Sequence, residues 1–200
     1  MSTSDGAAFR PETEPEPEPE PHEIARIRGG PRAAVTVAVL DLHLRGAVGA
    51  GRGGTMRTTG PVDDDNLPPL ARAVHSALYR PAGMRQLLGR QGVRTALARL
   101  VDDLTAAGLL RTFPPGRTGA ARRTLKELRA RHPLPARRSG LSARDTLLLV
   151  ALHGDRALTA LAPRFAGEAG LIGRGGSTER VLRGSSEGSG GGGGFSCGSV

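Results

Sequence analysis

Apolar residues cluster in a few stretches of this chain, and most of these stretches predict helices. The first, Pro31–Arg45, is apolar almost without interruption. It begins with a proline, which suits the first turn of a helix, and ends just before Gly46, a common helix terminator. A shorter helix over Glu23–Arg28 is expected before it, with a break at Gly29-Gly30. Because a helix that is apolar on every side is normally buried, Pro31–Arg45 needs a cover from elsewhere.

Further helices are predicted downstream, over Leu67–Tyr79, Met84–Leu88 and Val93–Ala107, the first of them capped by Asn66. Thr118–Arg131 favours a short basic helix. Ser142, with Asp145 three residues later, resembles a capping box and predicts a helix that runs to about Leu152. That last helix is a candidate cover for Pro31–Arg45.

An internal repeat relates the first helical stretch to a later one. Arg32–Val48 aligns without gaps with Arg94–Leu110, and six positions are identical (Arg32/Arg94, Ala34/Ala96, Val39/Val101, Asp41/Asp103, Leu42/Leu104 and Gly46/Gly108). Each copy predicts a short helix, a turn, a longer helix, a glycine and an extended segment, which is the order of a winged-helix unit. A β-hairpin is predicted over 47–59, whereas the second copy has only Leu109–Phe113 before Pro114, which is expected to stop the extended chain there. The alternative is that two Ala/Leu/Arg helices match through composition alone.

These patterns predict a mainly α protein with a short β-hairpin. Two tandem winged-helix-like units of three helices are expected at 22–61 and 66–113, and a C-terminal helical segment at 141–172. A basic Pro/Arg linker is expected at 114–140. The termini are expected to be disordered: an acidic Glu-Pro arm at 1–21 and a Gly/Ser-rich tail at 173–200, which holds 11 glycines and six serines.

Charge divides the chain into an acidic arm and a basic body. Residues 1–22 hold six acidic residues and one arginine, a net charge of −5, while the whole 200-residue chain carries +9. We therefore expect the arm to fold back on the basic body as a weak electrostatic screen. Of the 28 basic residues only Lys126 is a lysine, a bias typical of a GC-rich genome, which weakens the inference from arginine content to nucleic-acid binding.

No motif in the sequence predicts catalysis, a cofactor or a metal. Gly49, Gly51 and Gly54 fit G-x-G-x-x-G, but a helix precedes them, so they indicate a hairpin turn rather than a dinucleotide site. The acidic run 63–65 lacks the spacing of a calcium loop and instead indicates a helix start. The histidines have no partner at metal-ligand spacing. We therefore expect a non-enzymatic protein without a cofactor.

The cysteine count and the hydropathy pattern give expectations about the subcellular location of the protein. Cys197 is the single cysteine, so no internal disulfide forms, and a reducing compartment is the default. Neither a secretory signal nor an apolar run long enough to span a membrane is present. These features predict a cytoplasmic protein. Cys197, in the tail, is expected to be exposed, and the sequence leaves its role open.

The string EIARIRGGPRAAV at Glu23–Val35, the Gly-Leu-Leu that ends the second copy and the Gly-rich tail with a cysteine resemble a bacterial domain family common in actinobacteria. The resemblance covers about residues 22–200. Many members of that family are labelled membrane proteins because apolar segments adjoin the domain, whereas this chain lacks such segments. The family has no assigned activity, so the resemblance implies no mechanism.

Two binding functions remain. The first is a protein-interaction or scaffold role, in which the apolar helix 32–45 contacts another protein or a second copy of the chain. The alternative is duplex-DNA binding through the basic body, with five candidate contacts: Arg32, Thr36, His43, Arg52 and Arg57. Peripheral contact with anionic lipid through the basic linker is a weaker hypothesis, because the sequence shows no amphipathic aromatic anchor for it.

Overall fold

The computed structural model describes residues 18–62, 67–135 and 140–172. This part of the chain is mainly helical, as predicted, with eight α-helices and two short antiparallel hairpins. In chain order the elements are α1 (Pro21–Leu44), β1 (Val48–Ala50), β2 (Met56–Thr58), α2 (Pro69–Ala77), α3 (Met84–Gly89), α4 (Gln91–Ala106), β3 (Leu110–Arg111), β4 (Gly116–Arg117), α5 (Gly119–Arg131), α6 (Ala143–His153), α7 (Asp155–Leu161) and α8 (Pro163–Glu168).

Helix α1 consists of two helical parts. At Gly30 the backbone leaves the helical region, with φ 77° and ψ −164°, and Pro31 then begins the second part. Proline fits there because the break has already removed the hydrogen bond that its missing N–H would have donated. The predicted short helix, break and long helix are therefore confirmed.

The long part of α1 is the centre of the hydrophobic core. Residues 34–42 are all buried, and α6 packs along them, with α2 on another side. The predicted cover by the 141–152 segment is confirmed. The expectation that helix 32–45 offers an apolar face to a partner is wrong for most of its surface, because α6, a hundred residues away in sequence, already covers it.

Arginine side chains hold the end of α6 in place. The Nε atoms of Arg28 and Arg129 donate to the carbonyl oxygens of Ala151 and Leu152, over 2.6 and 3.1 Å. These carbonyls lie in the last turn of α6, where no intrahelical donor remains for them. Ser142 and Asp145 form the predicted capping box at the other end of α6.

Both copies of the repeat end their long helix in the same way. Gly46 and Gly108 take positive φ angles of 77° and 69°, and the next amide donates back to the carbonyl of Leu42 or Leu104. A hairpin follows in each case. In the first, Val48 pairs with Thr58; in the second, Leu110 pairs with Arg117. The expectation that Pro114 stops the second copy is wrong, because the two prolines lie in the hairpin loop and the chain continues into β4.

A threonine closes each hairpin onto the preceding glycine. Thr59 Oγ1 donates to Gly46 O over 2.8 Å, and Thr118 Oγ1 donates to Gly108 O over 2.9 Å. Each threonine amide also donates to the residue after its glycine, Ala47 or Leu109. The stretch predicted as a linker contains the second hairpin's end and α5, whose Ala121, Leu125 and Leu128 are buried.

Several predicted features lie outside the described residues: most of the acidic arm, the 63–65 acidic run, the Asn66 cap, the tail and Cys197. The separation into units at 22–61, 66–113 and 141–172 stays a prediction. All three nevertheless contribute buried side chains to one hydrophobic cluster.

Candidate binding groove

A groove of about 970 Å³ lies between α1, α2, α4 and the start of α6. The two copies of the repeat contribute equivalent positions to it. Val37 and Arg99 correspond across the repeat, as do Ala38 and Leu100, and Asp41 and Asp103. The groove therefore lies where the long helices of the two copies approach each other.

The floor of the groove is apolar. Its buried apolar members come from four helices and from a residue two positions before α2 (Val37, Ala38, Leu67, Leu70, Ala71, Leu100 and Leu147). Leu44, at the end of α1, also lines the groove and is 42% exposed. Ala96 of α4 is half-buried in the wall. A concave apolar surface of this kind is typical of a site that receives apolar side chains.

The rim of the groove is charged. Acidic side chains are Glu20, Glu23, Asp41 and Asp103, and basic ones are Arg45, Arg99 and Arg144. Arg45 Nε and Asp41 Oδ1 form an ion pair over 2.8 Å, one turn apart on α1. Three of the four acidic residues belong to α1 or are its N-cap, Glu20. The side of the rim that α1 forms is therefore the more negative one.

His22 lies in the groove among three of those carboxylates. Burial lowers its pKa below the ordinary histidine value, because the charged ring loses hydration. The nearby charges of Glu23, Glu20 and Asp41 act in the opposite direction and favour the protonated ring. The lowered pKa shows that burial is the stronger of the two effects, so His22 is more easily kept neutral than an exposed histidine.

Two of the predicted DNA contacts, Arg32 and His43, touch the C-terminal segment, and a third, Thr36, is buried. Arg32 Nη2 donates to Leu171 O over 3.2 Å, and Thr36 is buried with its hydroxyl on Arg32 O. The ring of His43 stacks on Phe165 of α8, with ring centroids 3.6 Å apart and the planes within 2° of parallel. His43 Nδ1 is also 3.0 Å from Val48 O. Arg32 and His43 hold α8 and the residues that follow it against α1.

The other two predicted contacts are exposed together on the first hairpin. Arg57 lies in β2, and Arg52 lies in the short 3₁₀ turn between β1 and β2. The structure therefore divides the five predicted residues into the buried Thr36, the half-buried Arg32 and His43, and an exposed pair, Arg52 and Arg57.

Sequence reasoning missed the groove. Its walls are brought together by contacts between elements far apart in the chain, which local patterns do not encode. The one usable signal was the repeat itself, since equivalent positions of its two copies line both walls.

The described residues contain no group of three or more His, Cys, Asp or Glu side chains placed to hold a metal ion. Among the described helices, none is both long enough and apolar enough to cross a membrane. Comparisons of the chain with models of protein families, with curated proteins and with solved structures found no match.

Proposed function

We propose that this chain is a non-enzymatic protein-interaction module whose groove receives an amphipathic helix from a partner protein. The observation that carries the proposal is the apolar floor between the two repeat copies, enclosed by a charged rim. Helices bind such grooves by inserting apolar side chains spaced three or four residues apart. The apolar floor matches the apolar face of such a helix, and the charged rim matches its polar face.

The acidic residues of the rim indicate which charge the partner helix carries. The charges of Glu20, Glu23 and Asp41 act to raise the pKa of His22, so they favour a positive charge at this end of the groove. A lysine or arginine beside the apolar stripe of the partner helix would be favoured there, whereas a carboxylate would be repelled. We therefore propose a basic amphipathic helix as the occupant.

The test uses a displayed library of helical peptides, selected against the full chain and followed by affinity measurement of the winners. Ala96→Arg places a long charged side chain in the groove wall. Ala98→Arg makes the same substitution two residues later on α4, at an exposed position that does not line the groove. Both variants are checked for an unchanged helical spectrum.

We expect the selected peptides to share an apolar stripe with an adjacent basic residue. Their affinity should fall at least about tenfold with Ala96→Arg and stay unchanged with Ala98→Arg, which corresponds to the loss of a central contact. Failure to enrich any peptide, or equal binding by the two variants, would contradict the proposal.

Duplex-DNA binding is the second candidate, favoured by the exposed Arg52 and Arg57 and by the helix–turn–helix–hairpin order of both copies. In this proposal the copies are winged-helix-like units. The long helix of the first copy is buried, so only its hairpin would contact phosphates, while α4 exposes Arg94 and Arg99. Fluorescence anisotropy with random duplex DNA across a salt series tests it. A steep salt dependence that weakens in Arg52→Ala/Arg57→Ala is the expected result, and absence of binding at moderate salt would exclude it.

A further inference from the structure

The second hairpin and α5 form a continuous basic segment, Leu110–Arg131, that the groove does not use. We call its surface the α5 basic surface. It contains seven basic residues against one acidic residue, a net charge of +6 within 22 residues. All seven basic side chains are exposed (Arg111, Arg117, Arg122, Arg123, Lys126, Arg129 and Arg131). Two of them have partners within the chain, since Arg129 Nε donates to Leu152 O and Arg131 pairs with Glu18. On α5 the apolar Ala121, Leu125 and Leu128 face the core, so the charged residues occupy the remaining sides.

An aromatic side chain projects from the loop of the same hairpin. Phe113 is 90% exposed, the highest value among the large hydrophobic residues of the described chain. It is followed by Pro114 and Pro115, and the paired residues Arg111 and Gly116 close the loop. The hairpin therefore presents an apolar tip with arginines on both of its strands.

The position of α5 connects the two features. Thr118, the residue after β4, caps α5 by accepting a hydrogen bond from the amide of Ala121 over 3.2 Å. The guanidinium of Arg123 lies beside Gly119, at the start of the helix nearest the hairpin. The basic face of α5 is therefore adjacent to the hairpin that carries Phe113.

We propose that the α5 basic surface docks on an anionic lipid bilayer, with Phe113 entering the headgroup region. Basic side chains near a membrane are attracted by the negative surface potential of acidic lipids. Aromatic rings prefer the boundary between headgroups and acyl chains, and one apolar anchor combined with a basic patch gives reversible binding. The sequence alone gave no aromatic anchor for this contact. The structure supplies one, because folding of the hairpin exposes Phe113.

Phe113 favours a bilayer over duplex DNA as the occupant. Phosphates of DNA attract the same arginines, but a binding mode based on phosphates alone gains nothing from an exposed phenyl ring. A phenyl ring contributes to binding where it leaves water for an apolar environment, which a bilayer offers and the phosphate backbone of duplex DNA does not. The contribution of Phe113 therefore distinguishes the two occupants.

The experiment measures sedimentation of the full chain with phosphatidylcholine vesicles, with and without about 30% phosphatidylserine. Two variants alter the proposed surface: Phe113→Ser, and the charge reversal Arg122→Glu/Arg123→Glu. Each has a matched control elsewhere on the molecule. Tyr79→Ser changes another aromatic residue that is 85% exposed, and Arg52→Glu/Arg57→Glu reverses two charges on the first hairpin.

We expect binding to the anionic vesicles only. The Arg122/Arg123 reversal should lower the partition coefficient at least about tenfold, and Phe113→Ser should lower it by about three- to tenfold. Both control variants should bind like the original chain. These substitutions are all on exposed side chains, so circular dichroism should show that each variant retains its helices.

Three outcomes would overturn the proposal. One is an absence of binding to anionic vesicles at moderate salt. Another is binding that Phe113→Ser leaves unchanged, particularly if duplex DNA competes with the vesicles, because that pattern belongs to a phosphate-binding surface. The third is an equal loss in the first-hairpin reversal, which would show that net charge alone governs the contact. Since none of these residues lines the groove, the result is independent of the protein-interaction proposal.

Discussion

The two copies of the repeat share their local structure but have opposite surroundings. In each, a long helix ends at a glycine with positive φ, and a threonine closes a hairpin onto that glycine. In the first copy the helix is buried over residues 34–42, and His43, at its end, stacks on α8. In the second, α4 buries only one stripe, and its hairpin exposes Phe113.

The repeat motif therefore determines local geometry but not whether a copy is buried or exposed. The copies differ in the composition of the long helix and in whether another helix packs over it, as α6 does on α1. Leu40 is fully buried in α1, while the equivalent position in α4 is Asp102, which is exposed. The first copy therefore serves as internal support, and the second presents surface to solvent.

The two phenylalanines give the largest expected contrast. Phe165 is 5% exposed and stacks on His43 of the first copy, whereas Phe113 is 90% exposed on the second hairpin. Phe165→Ala should lower the free energy of unfolding by about 3–5 kcal/mol, because it leaves a cavity in the core. Phe113→Ala should change it by less than about 0.5 kcal/mol. Urea denaturation of both variants measures this, and similar losses would contradict the assignment of the two environments.

Equivalent positions of the long helices provide a second contrast. Leu40→Ala should lower the free energy of unfolding by about 2–5 kcal/mol, since the side chain is fully buried. Asp102→Ala, at the equivalent position of α4, should change it by no more than about 0.5 kcal/mol. Thermal and urea unfolding of the pair test the difference. If Asp102→Ala were as damaging as Leu40→Ala, α4 would be as buried as α1.

The closing threonines differ by a smaller amount. Thr59→Ala removes one side-chain hydrogen bond on an exposed hairpin, so we expect a loss of about 0.5–1 kcal/mol. Thr118→Ala removes the equivalent bond and also the cap of α5, for a loss of about 1–2 kcal/mol. Serine at either position should restore most of the stability. The comparison fails if Thr59→Ala is the more damaging of the two.

The smallest expected effect concerns pH. Because burial lowers the pKa of His22 in the folded chain, the unfolded chain binds a proton at a higher pH than the folded one. This group's contribution to stability is therefore complete above the ordinary histidine pKa and is lost as the pH falls from that value through the lower pKa of the folded chain. His22→Met removes the titratable ring and keeps an apolar side chain of similar size at this partly buried position. It should flatten this part of the profile of unfolding free energy against pH, and an unchanged profile would assign the pH dependence to another group.

The sequence predicted local structure well wherever one short segment determined it. The break at Gly29-Gly30, the first hairpin, the Ser142 capping box and the helix beginning at Thr118 all depend on residues close together in the chain, and all are present. Burial of the Pro31–Arg45 helix was predicted because no exposed helix is apolar on every side.

Functional surfaces were harder to predict because they depend on contacts between distant elements. Nothing near Arg32 or His43 in the sequence indicates that Leu171 and Phe165 contact these two side chains. The groove needs four helices to meet, and the exposure of Phe113 depends on a hairpin that the prolines were expected to prevent. The screening role of the acidic arm stays a prediction. Its described contact with α5 is the ion pair of Glu18 and Arg131, over 2.8 Å between two exposed side chains.

Amide hydrogen exchange on the full chain tests the contrast between the two copies most directly. Amides in 34–42 should exchange only when the whole chain unfolds, because both α6 and α2 cover that helix. Amides at the equivalent positions 96–104 of α4 should exchange at least about tenfold faster through local opening, because one face of that helix is in solvent. Equal protection of the two helices, or slower exchange in α4, would contradict the division into internal support and exposed surface.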